Sequence, residues 1–392
     1  MIAVLGIAMM GVSTLNTNPH ATRDAYDLYC SICADVTGIT QLNGFTFITQ
    51  DSTLTTDKAR DIDERTRDLQ GQILLANSMP FDSSAAAGSE RKARRLSGIR
   101  KVNLLLCASA YDKFAKGDSN SGVQLLEAAI VFLQRMSTVN SIIALDASRA
   151  FNVLLLQLSE HAGRMSLPNL LKLVQVLKTV EGQSPYPIPI LEHELKAYEE
   201  ELIDAVSRNW RTYLDPTFLD SDSKTCEQLL EKLDTASYRD MDSYFNLARS
   251  ALRAMINDQI ALLRGPVKSW KSVERRIPLD LPNAIVYALV FPLDNLIVGA
   301  AKRVIAIRLT IVLLSCHVYK FEHGRFPVTS SELGQLADDP VAGGKIHLVA
   351  GSSPSVSSDG TPLTGPVYFP GGSAGADRSE AFARGLKREG AK

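Results

Sequence analysis

The sequence predicts a mostly α-helical protein made of antiparallel helical hairpins, with a small Gly/Pro-rich α+β tail at the C-terminus. Three observations lead to this prediction. Apolar residues recur at helical spacing through much of the chain, Gly-Asp and Pro-rich breaks separate the periodic stretches, and Gly, Ser and Pro dominate after Ala342. The 392 residues are 45% hydrophobic and 22% charged, which is ordinary for a protein with a substantial core.

The overall charge favours no polyanionic partner. The net charge is −1, with 42 basic against 43 acidic residues, so no global field attracts nucleic acid or an anionic membrane. The five cysteines are few and odd in number, which argues against a disulfide scaffold. This usage fits a reducing compartment, although a large core also allows export without disulfides.

The first segment, residues 1–21, begins with the apolar run Met1–Val12. Twelve residues of helix span about 18 Å against a hydrocarbon core of about 30 Å, so this run cannot cross a bilayer alone. Its length suits the apolar region of a signal peptide, yet no Lys or Arg precedes it. A buried first helix, a degenerate signal or anchor, and the stub of a longer membrane helix all stay open as interpretations.

Composition breaks divide the rest of the chain into further segments. The breaks are a loop at Pro80–Ser89, a stiff Pro-rich joint at Gln183–Pro189, and a joint bracketed by Pro278 and Pro282. The predicted segments are N-terminal helices with a linker at 22–89, a helical-hairpin domain at 90–182, a second helical region at 190–282, a long kinked helix with a small tail at 283–370, and a flexible C-terminus at 371–392.

The helix boundaries follow from caps and breakers. Helices are predicted at 22–34, 57–77, 101–116, 123–136, 138–163, 166–180, 191–209, 225–235, 242–263 and 283–322, and short strands at 345–350 and 366–369. Pro292 should kink or break the last helix. The Gly117–Asn120 corner between two helices is similar to the turn of a tetratricopeptide-type pair, although the full repeat signature is missing.

One apolar helix, Leu296–Cys316, carries three cations. Its eleven Leu, Ile and Val residues contribute roughly −3 to −7 kcal/mol to membrane insertion, whereas the three charges cost roughly +7 to +10 kcal/mol. We therefore predict a buried helix rather than a membrane span. Because Lys302, Arg303 and Arg308 point in different directions, we expect neighbours on several sides and long basic side chains that reach out to water.

The sequence predicts no catalytic, cofactor-binding or metal-binding residues. Cys30 and Cys33 form a lone C-x-x-C without the second pair or histidines of a zinc site, so we interpret both as apolar fillers of a helix face. His193-Glu194 resembles the start of H-E-x-x-H, but Ala197 occupies the position of the second histidine. The surrounding glutamates are interpreted as a solvated face.

The segment Tyr319–Pro327 (YKFEHGRFP), followed by Ser331–Leu333 and Asp339-Pro340, resembles the signature at the end of the long helix in type II secretion major pseudopilins. In this signature Gly324 can close the helix in a left-handed cap. The whole chain is similar to bacterial envelope proteins with an N-terminal anchor, an all-helical body and this ending. The resemblance, whose specific match covers about Leu309–Phe369, implies envelope association rather than catalysis.

These observations predict a non-enzymatic helical scaffold or protein-interaction protein at the bacterial cell envelope, membrane-anchored or periplasmic, with a cytoplasmic location left open. It would bind a protein partner, no nucleic acid and no cofactor, and any membrane contact would use the N-terminal segment. A secretion-apparatus or pilin-related component is the alternative. A hydrolase or metal enzyme, with a site assembled around His161, His193 or His317, is the third hypothesis.

Overall fold

The fold was analysed in a computed structural model of the chain. The structure describes residues 25–39, 55–81, 98–183, 186–207, 228–270, 280–289, 293–340, 343–349, 351, 354–360, 364 and 367–369. The predicted N-terminal segment 1–21, the flexible C-terminus 371–392 and Cys226 lie outside these residues.

The described chain is mostly helical, as predicted. Its α-helices are α1 (Ala25–Thr37), α2 (Thr56–Arg65), α3 (Arg67–Ser78), α4 (Ile99–Ala115), α5 (Ser119–Met136), α6 (Ser141–His161), α7 (Leu167–Glu181), α8 (Pro187–Ser207), α9 (Tyr238–Arg264), α10 (Leu281–Leu289) and α11 (Leu293–His323). Short 3₁₀ helices lie at Ala162–Arg164, Glu231–Asp234, Val267–Ser269 and Ser330–Ala337. The strands are β1 (His347–Val349), β2 (Ser355–Ser358) and β3 (Val367–Phe369).

The stretch predicted as one helix over 57–77 is two helices that meet at Thr66. The Thr66 hydroxyl donates to the Ile62 carbonyl oxygen at 2.7 Å, and the backbone at Thr66, with φ −110° and ψ 11°, is no longer α-helical. A Thr side chain that bonds back to the preceding turn competes with the regular helix. Apolar periodicity does not report this local competition, which is why the prediction missed the break.

The Pro-rich joint predicted at Gln183–Pro189 is shorter in the structure because α8 begins at Pro187. Proline is well suited to the first helical position, where its missing N–H would have no partner within the helix. The interval around Pro292, where a kink was predicted, falls outside the described residues. Helices α10 and α11 lie on either side of this interval.

Helices α4 and α5 form a pair joined by a tight turn. Gly117 has a φ of 80°, which lets the chain reverse without strain. The Asp118 side chain then caps α5 by accepting a hydrogen bond from the Ser121 backbone N–H at 3.1 Å. This Gly-Asp corner places the two apolar faces against each other, and both helices contribute to one core.

The buried apolar side chains form two clusters that share α11. The first contains residues of α1 to α7, the second half of α11 and the sheet, and the second contains residues of α8, α9, α10 and the start of α11. Leu296 lies in the second cluster, whereas Leu309 lies in the first, and both are fully buried. Helix α11 is therefore packed on several sides, as predicted for a helix without one wet face.

The C-terminal strands form an antiparallel sheet in the order β1-β2-β3, which packs on α11. Val356 pairs with Leu348 on one side and Phe369 on the other. The predicted strands at 345–350 and 366–369 correspond to β1 and β3, but the central strand β2 was not predicted. Its sequence, SVSS, has a single large apolar residue, so its signal is weak even though Val356 and Ser358 are buried.

Among the described residues, one stretch, Ser141–Arg164, is long and apolar enough to cross a membrane by length and composition. More than half of its most apolar window, 56%, is buried inside the protein. The stretch comprises α6 and the turn after it, and α6 packs against α4, α5 and α11. A core helix of a globular protein meets the same criterion, so this helix gives little support for a membrane span.

Candidate functional site

A cleft of about 590 Å³ opens where the two apolar clusters meet. Its walls come from the C-terminal ends of α5 and α7, the start of α8, the end of α9 and the middle of α11. Four of its polar or aromatic lining residues shape the chemistry discussed below: Gln134, Tyr186, Trp270 and Arg303. The volume lies within the range of small-molecule pockets, about 300–1,000 Å³.

Arg303 is the most unusual residue of this cleft because its side chain is buried, with 3% exposed. Its Nη1 donates to Ser137 Oγ at 2.5 Å and its Nη2 donates to Gln134 Oε1. The guanidinium lies 4.0 Å from the ring centroid of Phe151 and 5.2 Å from that of Tyr186. All of these groups are formally neutral, and no carboxylate of the described chain pairs with Arg303.

The burial of Arg303 corrects the prediction that its side chain reaches out to water. Residues remote in sequence cover it: Ser137 follows α5, Phe151 lies on α6 and Tyr186 precedes α8. Burial lowers the pKa of Arg303 to about 10, so the group stays charged at neutral pH. Taking a charge out of water without an ion-pair partner costs several kcal/mol, which cation–π contacts and neutral hydrogen bonds offset only in part.

Arg308 on the same helix is fully neutralised. Its Nε and Nη2 donate to the two carboxylate oxygens of Glu181 at 2.7 and 2.8 Å, and its Nη1 donates to the Asp338 carbonyl oxygen at 3.0 Å. This bidentate pair joins α11 to the end of α7 at the border of the cleft. The contrast with Arg303 shows that the two arginines meet different electrostatic environments.

The cleft as a whole is electropositive. Its lining contains four cationic side chains, Lys178, Arg264, Arg303 and Arg308, against one carboxylate, Glu181. Arg264 also pairs with Glu192, at 3.3 Å, but that pair is largely exposed and therefore contributes little. A concave surface with an excess of one charge sign and low-dielectric walls concentrates ions of the opposite sign.

Two aromatic side chains give the cleft apolar walls. Tyr186 is buried and donates from its hydroxyl to the Leu296 carbonyl oxygen at 3.4 Å, and burial raises its pKa above the ordinary value. Trp270 is also buried and donates from its indole N–H to the Gly265 carbonyl oxygen at 3.1 Å. Both rings are therefore held in place, and their polar atoms already have partners.

The Cys, Glu and His residues that the sequence analysis weighed as reactive groups lie outside the lining of this cleft. Cys33 is buried in α1, and its carbonyl oxygen lies so close to Gly98 that a Cβ at Gly98 would overlap it. Burial raises the pKa of the Cys33 thiol, which keeps it protonated and unreactive. These contacts agree with the interpretation of Cys33 as an apolar filler.

Glu194 departs from the solvated face that was interpreted for its segment, although Glu192, Glu200 and Glu201 are exposed. Its carboxylate accepts hydrogen bonds from the Ser141 backbone N–H at 2.8 Å and from the Ser141 hydroxyl at 2.6 Å. Burial raises the pKa of Glu194, and the bonds from Ser141 oppose that rise. Glu194 therefore connects α8 to the N-terminus of α6, where a negative charge is favoured by the helix dipole.

The histidines named for the hydrolase hypothesis do not converge on the cleft. His161 is buried at the end of α6 with its ring stacked 4.7 Å from that of Phe114, and the ring of His317 on α11 lies 5.1 Å from that of Phe326. Within the part of the chain that the structure describes, no three His, Cys, Asp or Glu side chains lie together as potential metal ligands.

Sequence reasoning missed Arg303, Tyr186, Trp270 and Gln134 as members of one site. The sequence did place Arg303 as a charge in a helix too apolar to have one solvent-exposed face, but it did not show which residues cover the guanidinium.

Comparisons with known proteins add no further assignment, since no protein-family model, no curated protein and no solved structure matches the chain.

Proposed function

We propose that the protein is a non-enzymatic helical scaffold that binds a protein partner at the bacterial cell envelope. One observation carries the proposal: the reactive side chains that the sequence brought forward, Cys33, His161 and Glu194, each make structural contacts in separate places. The α4–α5 pair packs with α2 and α6 into layers of helices, an architecture that suits a scaffold that binds a protein partner. We extend the tetratricopeptide-like comparison to this pair as part of the proposal.

Recovery of a partner from native membranes tests the scaffold role. The full chain carrying an affinity tag would be crosslinked in a membrane fraction, and the recovered proteins would be quantified against a tag-only bait. We expect one partner in near-equal amount to the bait. Glu194→Gln is the matched control, because a scaffold needs that carboxylate only to hold α6, so partner recovery should persist while the variant is folded. A monomer without a recovered partner would refute the role.

A pilin-related or secretion-apparatus component is the second proposal. The observation in its favour is the order after α11: a left-handed Gly324, then Phe326-Pro327, a 3₁₀ helix and a sheet that packs back on α11. This order supports the resemblance seen in the sequence. Cell fractionation tests it, since the proposal requires the chain in the envelope fraction. A chain recovered wholly from the cytoplasmic fraction would contradict it.

A further inference from the structure

The guanidinium of Arg303 has more N–H donors than hydrogen bonds within the described chain. An arginine offers five N–H groups, and two of those of Arg303 donate to Ser137 and Gln134. The remaining N–H groups have no acceptor among the described residues, and the positive charge has no counter-ion there. Buried charges in proteins are normally paired, so this one calls for an explanation.

Two other partly buried arginines in the described part of the chain, Arg308 and Arg135, have partners that suit a cation. Arg308 has the bidentate partner Glu181. Arg135 donates to the carbonyl oxygens of Ala76 at 2.9 Å and Met79 at 3.0 Å, at the C-terminal end of α3, where the helix dipole favours a cation. Arg303 differs from both because its partners are neutral side-chain oxygens and aromatic faces.

The guanidinium lies in the wall of the cleft rather than behind it. Gln134 and Tyr186 both line the cleft, and the guanidinium bonds to the first and lies against the ring of the second. A group that enters the cleft between them would therefore reach Arg303. Trp270 and Ile307, which are buried, give the cleft apolar wall surface besides these polar groups.

We propose that the cleft binds a small organic monoanion, whose carboxylate pairs with Arg303 and whose apolar part packs against Tyr186 and Trp270. A planar carboxylate matches the fork of N–H donors on a guanidinium. One buried cation balances one negative charge, whereas a phosphate dianion would leave a charge uncompensated in an apolar site. The exposed Lys178 and Arg264 at the mouth would attract the anion. This binding site does not rest on the scaffold role.

A purely structural role for Arg303 makes a different prediction. In that case the guanidinium only crosslinks α11 to the end of α5, and its replacement would change stability but not ligand binding. The two roles are separated by a ligand that differs only in its charge. The matched probes are 4-phenylbutyrate and 4-phenylbutanol, which share the apolar part and differ in the carboxylate.

Calorimetric titration of the full chain at low ionic strength tests the proposal. We expect 4-phenylbutyrate to bind at one site, and 4-phenylbutanol to bind about tenfold or more weakly because it lacks the charge-assisted bonds. Arg303→Met, which removes the charge and retains an apolar side chain, should weaken phenylbutyrate binding by about tenfold or more. Arg60→Met is the matched control, because Arg60 is exposed on α2 and should leave the affinity unchanged.

A second variant covers the case in which Arg303→Met does not fold. Lys178→Glu combined with Arg264→Glu reverses the charge at the mouth and disturbs no buried contact. It should weaken phenylbutyrate binding by about fivefold at low salt and by less at high salt. Equal affinities for the acid and the alcohol, no saturable binding of phenylbutyrate, tighter binding of inorganic phosphate, or unchanged affinity in the folded variants would each overturn the proposal.

Discussion

His161 shows how a single side chain can make stability depend on pH. Its ring is held between those of Phe114 and Tyr111, and neither ring nitrogen has a hydrogen-bond partner among the described residues. Burial, with a smaller contribution from Arg164, lowers the pKa of His161 to about 4 from its ordinary 6.5. The folded protein therefore holds this histidine neutral over a range in which the unfolded chain is protonated.

We predict that the free energy of unfolding falls as the pH drops from 6.5 towards 4. In this window the unfolded state binds a proton that the folded state rejects, so His161 alone should cost roughly 2 to 3 kcal/mol by pH 4.5. His317, whose pKa burial also lowers to about 4, should add a smaller loss because it is partly exposed. Urea unfolding at pH 7 and pH 4.5 measures the effect.

The variant His161→Phe isolates this contribution, because it keeps an aromatic ring between Phe114 and Tyr111 and removes the titrating group. Its stability should fall less than that of the natural chain over the same pH interval. His347→Asn is the control, since His347 is exposed. The same loss in the natural chain and in His161→Phe would show that other groups with a lowered pKa, such as His317, dominate the pH dependence.

At the scale of elements, the end of α11 is organised by Gly324 and Glu332. Gly324 has a φ of 73° and ends the helix in the left-handed cap that the sequence predicted. Glu332 accepts hydrogen bonds from the Tyr319 hydroxyl at 2.6 Å, the Val328 backbone N–H at 2.7 Å and Arg325 at 2.8 Å. These bonds lower the pKa of Glu332 to about 2, so it stays ionised and holds the following 3₁₀ helix against α11.

We predict that Gly324→Ala destabilises the protein by about 1 kcal/mol, because a Cβ in the left-handed region clashes with the backbone. Gly71→Ala is the matched control. Gly71 is exposed inside α3, and a Cβ added there would have no neighbour within 4 Å, so alanine should stabilise by about 0.5–1 kcal/mol through helix propensity. Thermal unfolding of the two variants should shift in opposite directions, and a stable Gly324→Ala would contradict the role of the cap.

The elements differ in how well local sequence predicts them. The Gly324-Pro327 turn and the Gly117-Asp118 corner were recognised because glycine, proline and aspartate act on the few residues beside them. The role of Glu332 was not predicted, because its hydrogen-bond partners are spread along the chain from Tyr319 to Thr329. They come together only once the turn has formed. Strand β2 was missed for a related reason, since its neighbours β1 and β3 define it more than its own residues do.

At the scale of the whole molecule, α11 passes from one apolar cluster into the other. Its first turns pack with α8, α9 and α10, and its later turns pack with α6, α7 and the sheet. A shared rigid helix couples the stability of the two clusters, because neither can lose its contacts without exposing part of α11. The cleft lies at this junction, so its walls depend on both clusters.

We predict that the two apolar clusters unfold together in one cooperative transition. Leu154→Ala in the first cluster and Leu252→Ala in the second each remove a fully buried side chain and should cost about 2–5 kcal/mol. Both should lower the same midpoint in differential scanning calorimetry. Leu247→Ala is the control, because Leu247 is exposed on the same helix as Leu252 and should change stability by less than about 0.5 kcal/mol. Two separate transitions would contradict the coupling.

The sequence by itself determined that the chain is helical, where most helices begin and end, and how α11 closes at Gly324. Periodicity, caps and breakers act within a few residues, so they can be read locally. Only the tertiary structure decided that Arg303 is buried without a counter-ion and that Glu194 caps α6. The environment of a charge depends on the segments that pack against it, and for Arg303 these are Ser137, Phe151 and Tyr186, all remote along the chain.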